Sequence, residues 1–216
     1  MDTQSFMRDK TTPEKPLSIL CFGDSLTQGF HNYGLGESPY SETLEKKLKG
    51  AFPDRTIVIR TSGMPGDLAS SSSFQRRFIQ EGMSSSDSYE WVIILGGTND
   101  LGRLLSVDKV FHALESHWNT AIGNGSKVLA LTVPECKAKP EWLVVNRNEL
   151  NQQIMSHSRP NFYAFDLASH VPYHSLTAAQ RTLYWDDGLH LTADGYEWMG
   201  EHIARGLIRI LLEECI

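Results

Sequence analysis

Four short segments of this 216-residue chain hold the residue types that acyl transfer needs. They are Gly23-Asp24-Ser25-Leu26, the stretch from Thr61 through Gly63, Pro65 and Gly66 to Asp67, Gly96-Gly97-Thr98-Asn99-Asp100, and Asp186-Asp187-Gly188-Leu189-His190. A serine hydroxyl is a weak nucleophile until a base takes its proton. Histidine is the usual base, because its unperturbed pKa of ~6.5 lies near working pH. A carboxylate on the far ring nitrogen fixes the tautomer and steadies the imidazolium. The tetrahedral intermediate carries an oxyanion that needs aimed N–H donors. Glycine lets a backbone N–H come close, and an asparagine amide supplies another donor. Asp186 and Asp187 compete for the place behind His190, and Asp-x-x-His spacing favours Asp187.

Other polar residues read as structural. Asp24 and Asp100 suit turns and hydrogen-bond networks. His170 and His174 lie four apart, but Pro172 between them disfavours a helix and no third ligand is at hand, so they do not read as a metal pair. His112 and His117, five apart on a helix, share no face and read as surface. Lys46-Lys47 and Arg76-Arg77 are isolated basic pairs. Trp142 and Trp198 read as core, and Trp185, beside the Asp-x-x-His segment, as a candidate pocket wall. Leu26, Leu101 and Leu189 accompany the chemical residues and predict an apolar acyl pocket for short or medium chains.

The elements that must position these residues follow from hydrophobic patterning. Leu17–Phe22, Thr56–Ile59, Trp91–Leu95, Val128–Val133 and Phe162–Phe165 are short apolar or β-branched runs that predict strands. Between them, Tyr40–Leu48, Phe74–Ile79, Val107–Ile122 and Trp142–Met155 predict helices, with a long last helix through Tyr196, Met199, Ile203, Leu207 and Ile210. Ser70–Ser73 predicts a loop or helix start, and Thr192 an N-cap with Asp194 in the first turn. Alternating strands and helices imply a three-layer α/β/α sandwich around a five-stranded parallel sheet, because parallel strands need crossovers. In such sheets ligands bind beyond the carboxyl ends of the strands, where all the segments above fall.

Composition bounds the rest. Residues 1–16 are polar and predict a disordered leader without a signal peptide, and residues 17–216 predict a single domain. A net charge of −6 argues against nucleic acid or an anionic membrane as partner, and no apolar run is long enough to span a membrane. Cys21, Cys136 and Cys215 are odd in number and far apart, which reads as free thiols in a reducing, cytoplasmic setting. Oligomeric state is not encoded in any pattern here.

In combination and order, these segments resemble the SGNH hydrolase family, also called GDSL esterases and lipases, over roughly residues 17–212. The resemblance implies a flavodoxin-like fold and a serine esterase or acyl hydrolase. It implies Ser25 as nucleophile, His190 as base and Asp187 as its orienting acid. It further implies an oxyanion hole from the Ser25 N–H, the Gly66 N–H and the Asn99 side chain. Gly63 competes with Gly66, because the family often has Asn where this chain has Thr61 or Ser62. The α/β-hydrolase elbow G-x-S-x-G is absent. The implied substrate is a small-molecule ester, with no metal and no cofactor. An acyltransferase or a carbohydrate deacetylase would use the same residues, and a non-catalytic binding module is disfavoured by their joint presence.

Overall fold

The computed structural model describes residues 16–83 and 89–214. The chain opens with β1 (Leu17–Asp24), α1 (Ser25–Gln28), a small hairpin of β2 (Phe30–His31) and β3 (Gly36–Glu37), and α2 (Tyr40–Ala51). It continues through β4 (Ile57–Met64), α3 (Ser72–Phe78), β5 (Trp91–Leu95), α4 (Thr98–Gly102) and α5 (Val107–Gly123). It ends with β6 (Lys127–Leu131), α6 (Glu141–Ser156), β7 (Phe162–Phe165), α7 (Leu167–His170), α8 (Ala178–Tyr184) and α9 (Ala193–Glu213). The expected leader lies outside the described residues except for Pro16, and so does Cys215.

The apolar runs pair into one five-stranded parallel sheet in the order β4-β1-β5-β6-β7. Alternate residues of each strand feed two separate cores, which is why the runs are continuous rather than alternating. Leu17, Ile19 and Cys21 of β1 join Trp91, Ile93 and Leu95 of β5 against α2 and α9. Leu20 and Phe22 join Val92, Ile94, Val128 and Ala130 against α3, α5 and α6. Helices thus cover both faces, as the alternation of elements predicts. No helix among the described residues is long and apolar enough to cross a membrane.

Two expectations fail in the packing. His117 is not on the surface but buried, with Nε2 3.0 Å from the Ala69 carbonyl oxygen. It continues the stripe Val110–Leu114 by one more turn of α5, so the helix presents it to the core. Burial holds its imidazole below the ordinary histidine pKa. Trp142 is exposed rather than core, because it stands in the first turn of α6, outside both clusters. Cys21 is buried and Cys136 half-buried, both as free thiols. Among the described residues no three His, Cys, Asp or Glu gather as a metal set.

Candidate active site

The strand order makes the chain leave β1 on one side for β4 and return across it to β5. The crevice at that reversal is where ligands bind in open parallel sheets. Ser25 stands in it. Asp24 ends β1 and caps α1, its Oδ1 accepting the Leu26 N–H at 2.9 Å, so Ser25 begins a one-turn helix.

His190 arrives from the far end of the chain. The loop that carries it is closed by a bridge between Trp185 and Leu191 and by the Asp186 N–H donating to the His190 oxygen at 2.9 Å. Asp187 Oδ1 accepts the N–H groups of Leu189 and His190, each at 2.8 Å. Asp187 Oδ2 lies 2.8 Å from His190 Nδ1, and His190 Nε2 lies 2.9 Å from Ser25 Oγ. An ionised carboxylate only accepts, so the ring proton belongs on Nδ1 and the Nε2 lone pair faces the serine. Burial alone would raise the Asp187 carboxyl, but hydrogen bonds from the His190 N–H, the His190 ring and the Leu189 N–H outweigh it and hold the group below its ordinary value. Asp186, the rival acid, turns away and accepts the Asn32 N–H at 2.7 Å.

Patterning does not foresee the β2–β3 hairpin, which backs this imidazole. The Phe30 ring packs on His190 with centroids 4.8 Å apart, and the Tyr196 hydroxyl donates to the Phe30 oxygen at 2.9 Å.

Asn99 lies in the first turn of α4. Its Nδ2 donates to the Asp67 oxygen at 3.0 Å and faces Asp24 Oδ2 at a longer 3.3 Å. Asp100, sealed from solvent, accepts the N–H groups of Ala69 and Ser70 at 2.8 and 3.0 Å. It thereby binds the loop after β4 to the loop after β5. Burial pushes the Asp24 carboxyl up to about 7, against the Leu26 N–H, and Asp100 and Asp67 add to the rise.

The two candidate glycines differ. Gly63 lies within β4, opposite Gly23, and a Cβ there would stand 2.3 Å from the Gln28 nitrogen and 2.7 Å from the Asp24 oxygen. Its lack of a side chain serves packing beneath α1. Gly66 has φ 75° in a turn closed by the Asp67 N–H on the Met64 oxygen at 3.2 Å. With Pro65 before it, this is the type II pattern that requires a positive φ at Gly66. No atom lies within 4 Å of where a side chain would begin, so this position faces open space.

Arg77, which the sequence offers only as half of an isolated basic pair, holds the turn. Its guanidinium donates to the Gly23 oxygen at 2.7 Å, to the Ser62 oxygen and Oγ at 2.9 Å each, and to Asp67 Oδ2 at 3.1 Å. It lies 4.0 Å over the Phe22 ring. A half-buried cation with so many acceptors fixes the ends of β1 and β4 against the Gly66 turn.

Beside Asn99 and Asp187 opens a cavity of about 790 Å³. Leu101 and Leu189 line it, as an apolar pocket requires, together with Val133 and Leu143. Leu26 does not: it points into the core under α2. Trp185 is almost wholly buried, with Nε1 donating to the Pro172 oxygen at 3.3 Å, and borders a smaller cavity of about 500 Å³ beside Asp186. Arg147 also lines the main cavity, although it sits on the buried stripe of α6 with Leu150 and Ile154. An arginine on an apolar stripe is the signal that sequence reasoning could have used.

Comparison with known proteins bears on this geometry. No curated protein matches the chain in sequence. Among solved structures, it resembles the lipase/acylhydrolase from Enterococcus faecalis at 22% identity and TM-score 0.67, covering 88% of this chain and 95% of that one. It resembles a catalytic mutant of an acetylxylan esterase from Geobacillus stearothermophilus at 17% identity and TM-score 0.70, covering 87% and 92%. A carbohydrate esterase family 3 protein from Talaromyces cellulolyticus follows the same path at 13% identity and TM-score 0.67, covering 91% and 99%. Identities this low are a likeness of fold. The family match runs over residues 21–198, from within β1 into α9 and through every loop described above. On that match the chain belongs to the GDSL-like lipase/acylhydrolase family and is a serine ester hydrolase.

Proposed function

We propose that this protein hydrolyses carboxylic esters through an acyl-enzyme on Ser25, with His190 and Asp187 completing a triad. The observation that carries the reading is the unbroken chain Ser25 Oγ, His190 Nε2 at 2.9 Å, His190 Nδ1 and Asp187 Oδ2 at 2.8 Å. Ser25 Oγ attacks the ester carbonyl while Nε2 takes its proton. The imidazolium so formed is steadied by Asp187 and hands the proton to the leaving alcohol. Water then repeats the sequence on the acyl-enzyme. The oxyanion is met by the Ser25 N–H, the Gly66 N–H and one hydrogen of Asn99 Nδ2. Gly66 is preferred to Gly63 because it faces open space while Gly63 is packed under α1.

Two structural neighbours are by their descriptions an acetylxylan esterase and a carbohydrate esterase. Acetylated sugars therefore belong in the substrate panel beside p-nitrophenyl esters of graded length. Wild type should cleave short esters and bind a fluorophosphonate covalently. Ser25→Ala should do neither while keeping its melting temperature within a few degrees. Ester turnover that survives in Ser25→Ala would overturn the mechanism.

A further inference from the structure

The cavity beside the triad is lined by a cation that no side chain among the described residues engages directly. Arg147 is 4% exposed, yet among the described residues it has no hydrogen bond and no ion pair within 4 Å. Glu135 attracts it electrostatically but stays beyond 4 Å, its Oε2 accepting the Tyr173 and His174 N–H groups at 2.8 and 2.9 Å. The guanidinium nitrogens are not among the sealed, unpaired polar atoms, so they retain contact with open space. Arg147 is among the residues that line the cavity of about 790 Å³. A buried cation with no hydrogen-bonded partner is costly, and a ligand anion would supply the contact that Glu135 does not make.

Its surroundings narrow the ligand. Leu101, Val133, Leu143 and Leu189 make the adjacent wall apolar. Lys137 and Arg103 stand at the exposed rim and add positive charge. The acid lining the cavity is Asp187, whose oxygens are engaged by His190 and by two backbone N–H groups. Its charge still repels a dianion, so a singly charged group suits the site better than a phosphate. A planar guanidinium fork matches a carboxylate in two parallel hydrogen bonds.

We infer that the ester substrate carries a carboxylate at the end of an apolar stem, and that Arg147 selects it. This rests on the serine-esterase reading above and adds the substrate class. The stem lies along Leu101 and Leu189 between the carbonyl at Ser25 and the anion at Arg147. Arg147 is a specificity residue and takes no part in bond making.

The test uses two matched pairs of esters on the whole protein. On the alcohol side, 4-acetoxybenzoate is compared with its methyl ester; on the acyl side, monophenyl adipate is compared with methyl phenyl adipate. Wild type should favour the charged member in at least one pair, and that pair reports which side of the ester occupies the cavity. Arg147→Met should lower the charged-to-neutral ratio of kcat/KM about tenfold or more, the lower range for losing a charge-assisted hydrogen bond. Arg147→Lys should restore part of it. The neutral member absorbs any general loss caused by the substitution. A wild-type ratio at or below one in both pairs, or a ratio that Arg147→Met leaves unmoved, overturns the inference.

If Arg147→Met does not fold, competition on wild type decides. Benzoate should inhibit neutral-ester cleavage competitively where benzamide does not, and equal inhibition overturns the inference. If wild type cleaves no member of either pair, the esterase reading itself has failed only where the acetylated sugars and p-nitrophenyl esters above are untouched as well. Calorimetric titration of 4-hydroxybenzoate into Ser25→Ala then tests Arg147 alone: binding lost on adding Arg147→Met supports the inference, and unchanged or absent binding overturns it.

Discussion

Replacing Asn99 by alanine separates an oxyanion donor from a substrate-binding residue. Nδ2 carries two hydrogens. The Asp67 oxygen takes one at 3.0 Å, while the other points at Asp24 Oδ2 across 3.3 Å, near the limit of a useful bond. Turning that second hydrogen to a developing oxyanion exchanges a long contact for a short, charge-assisted one. The gain exists only when the carbonyl oxygen becomes charged, so Asn99→Ala should lower kcat and leave KM nearly unchanged. Losing one such donor typically costs ~10²–10³ in rate, or about 3–4 kcal/mol. The ground-state cost is smaller: one ordinary hydrogen bond and one weak one, about 1–2 kcal/mol of stability. Steady-state kinetics on p-nitrophenyl acetate, with calorimetry on the same samples, measures both. In a Ser25→Ala background the Asn99 effect should nearly vanish, because the acyl-enzyme path is gone. A raised KM at constant kcat would refute the oxyanion assignment.

Arg77→Met should destabilise the fold by about 3–5 kcal/mol, because it takes the cation from the Asp67 carboxylate, whose side chain is 5% exposed and keeps only the Leu68 N–H and the Ser71 hydroxyl, both on Oδ1. Scanning calorimetry should show a fall on the order of 10 °C, and a loss below about 1 kcal/mol would show that the network is dispensable. Gly63→Ala should unfold the protein or lower its melting point sharply, since its Cβ meets backbone at 2.3 Å, whereas Gly66→Ala should cost only about 1–2 kcal/mol for a positive φ. Equal stabilities for the two variants would contradict that packing. Because burial keeps His117 below the ordinary value of 6.5, its contribution to stability is full above that pH and is lost as pH falls toward the folded-state pKa. His117→Asn should flatten the acid limb of a denaturation midpoint plotted against pH; a limb of unchanged slope would acquit His117.

How far the sequence reveals all this depends on whether the signal is local. Trp91–Leu95 is read to the residue because a central strand is apolar throughout. β1 and β4 run on to Asp24 and Met64, past the predicted Phe22 and Ile59, because their pairing continues through polar and glycine positions. β4 is an edge strand and several of its residues face solvent, so its far half leaves no hydrophobic trace. The β2–β3 hairpin has two residues per strand, too few for any period. Asp187 and His190 are legible because one turn of chain fixes their spacing. Arg77 and Arg147 are not, because isolated charges are usually solvated. For Arg147 the apolar spacing of Leu143, Leu150 and Ile154 gives the contrary sign, and for His117 the stripe of Val110 and Leu114 does.

The site as proposed, with His190 as base and Ser25, Gly66 and Asn99 as oxyanion donors, divides into two halves with different physical support. The acid–base half is local: Asp187 and His190 lie three residues apart, and the loop between them supplies two N–H groups to the same carboxylate oxygen. The geometry of that pair therefore survives small movements elsewhere. The oxyanion half is non-local, since the Gly66 turn is held by Arg77 from α3, Asn99 from α4 and Asp100 through the Ala69 and Ser70 N–H groups. Its donors keep their aim only while three loop ends remain in register. Damage to the sheet ends should therefore reach the oxyanion donors before it reaches the base. A partly destabilised variant such as Arg77→Met would lose kcat while His190 still sits against Asp187. The same division explains the alternating burial: Asp24, Asp67 and Asp100 are sealed to within a tenth of full burial, while the Asp187 side chain stays 39% exposed. Rigid donors need a dry, over-determined frame, whereas the acid behind the proposed base is held by its own loop and can stay open to solvent.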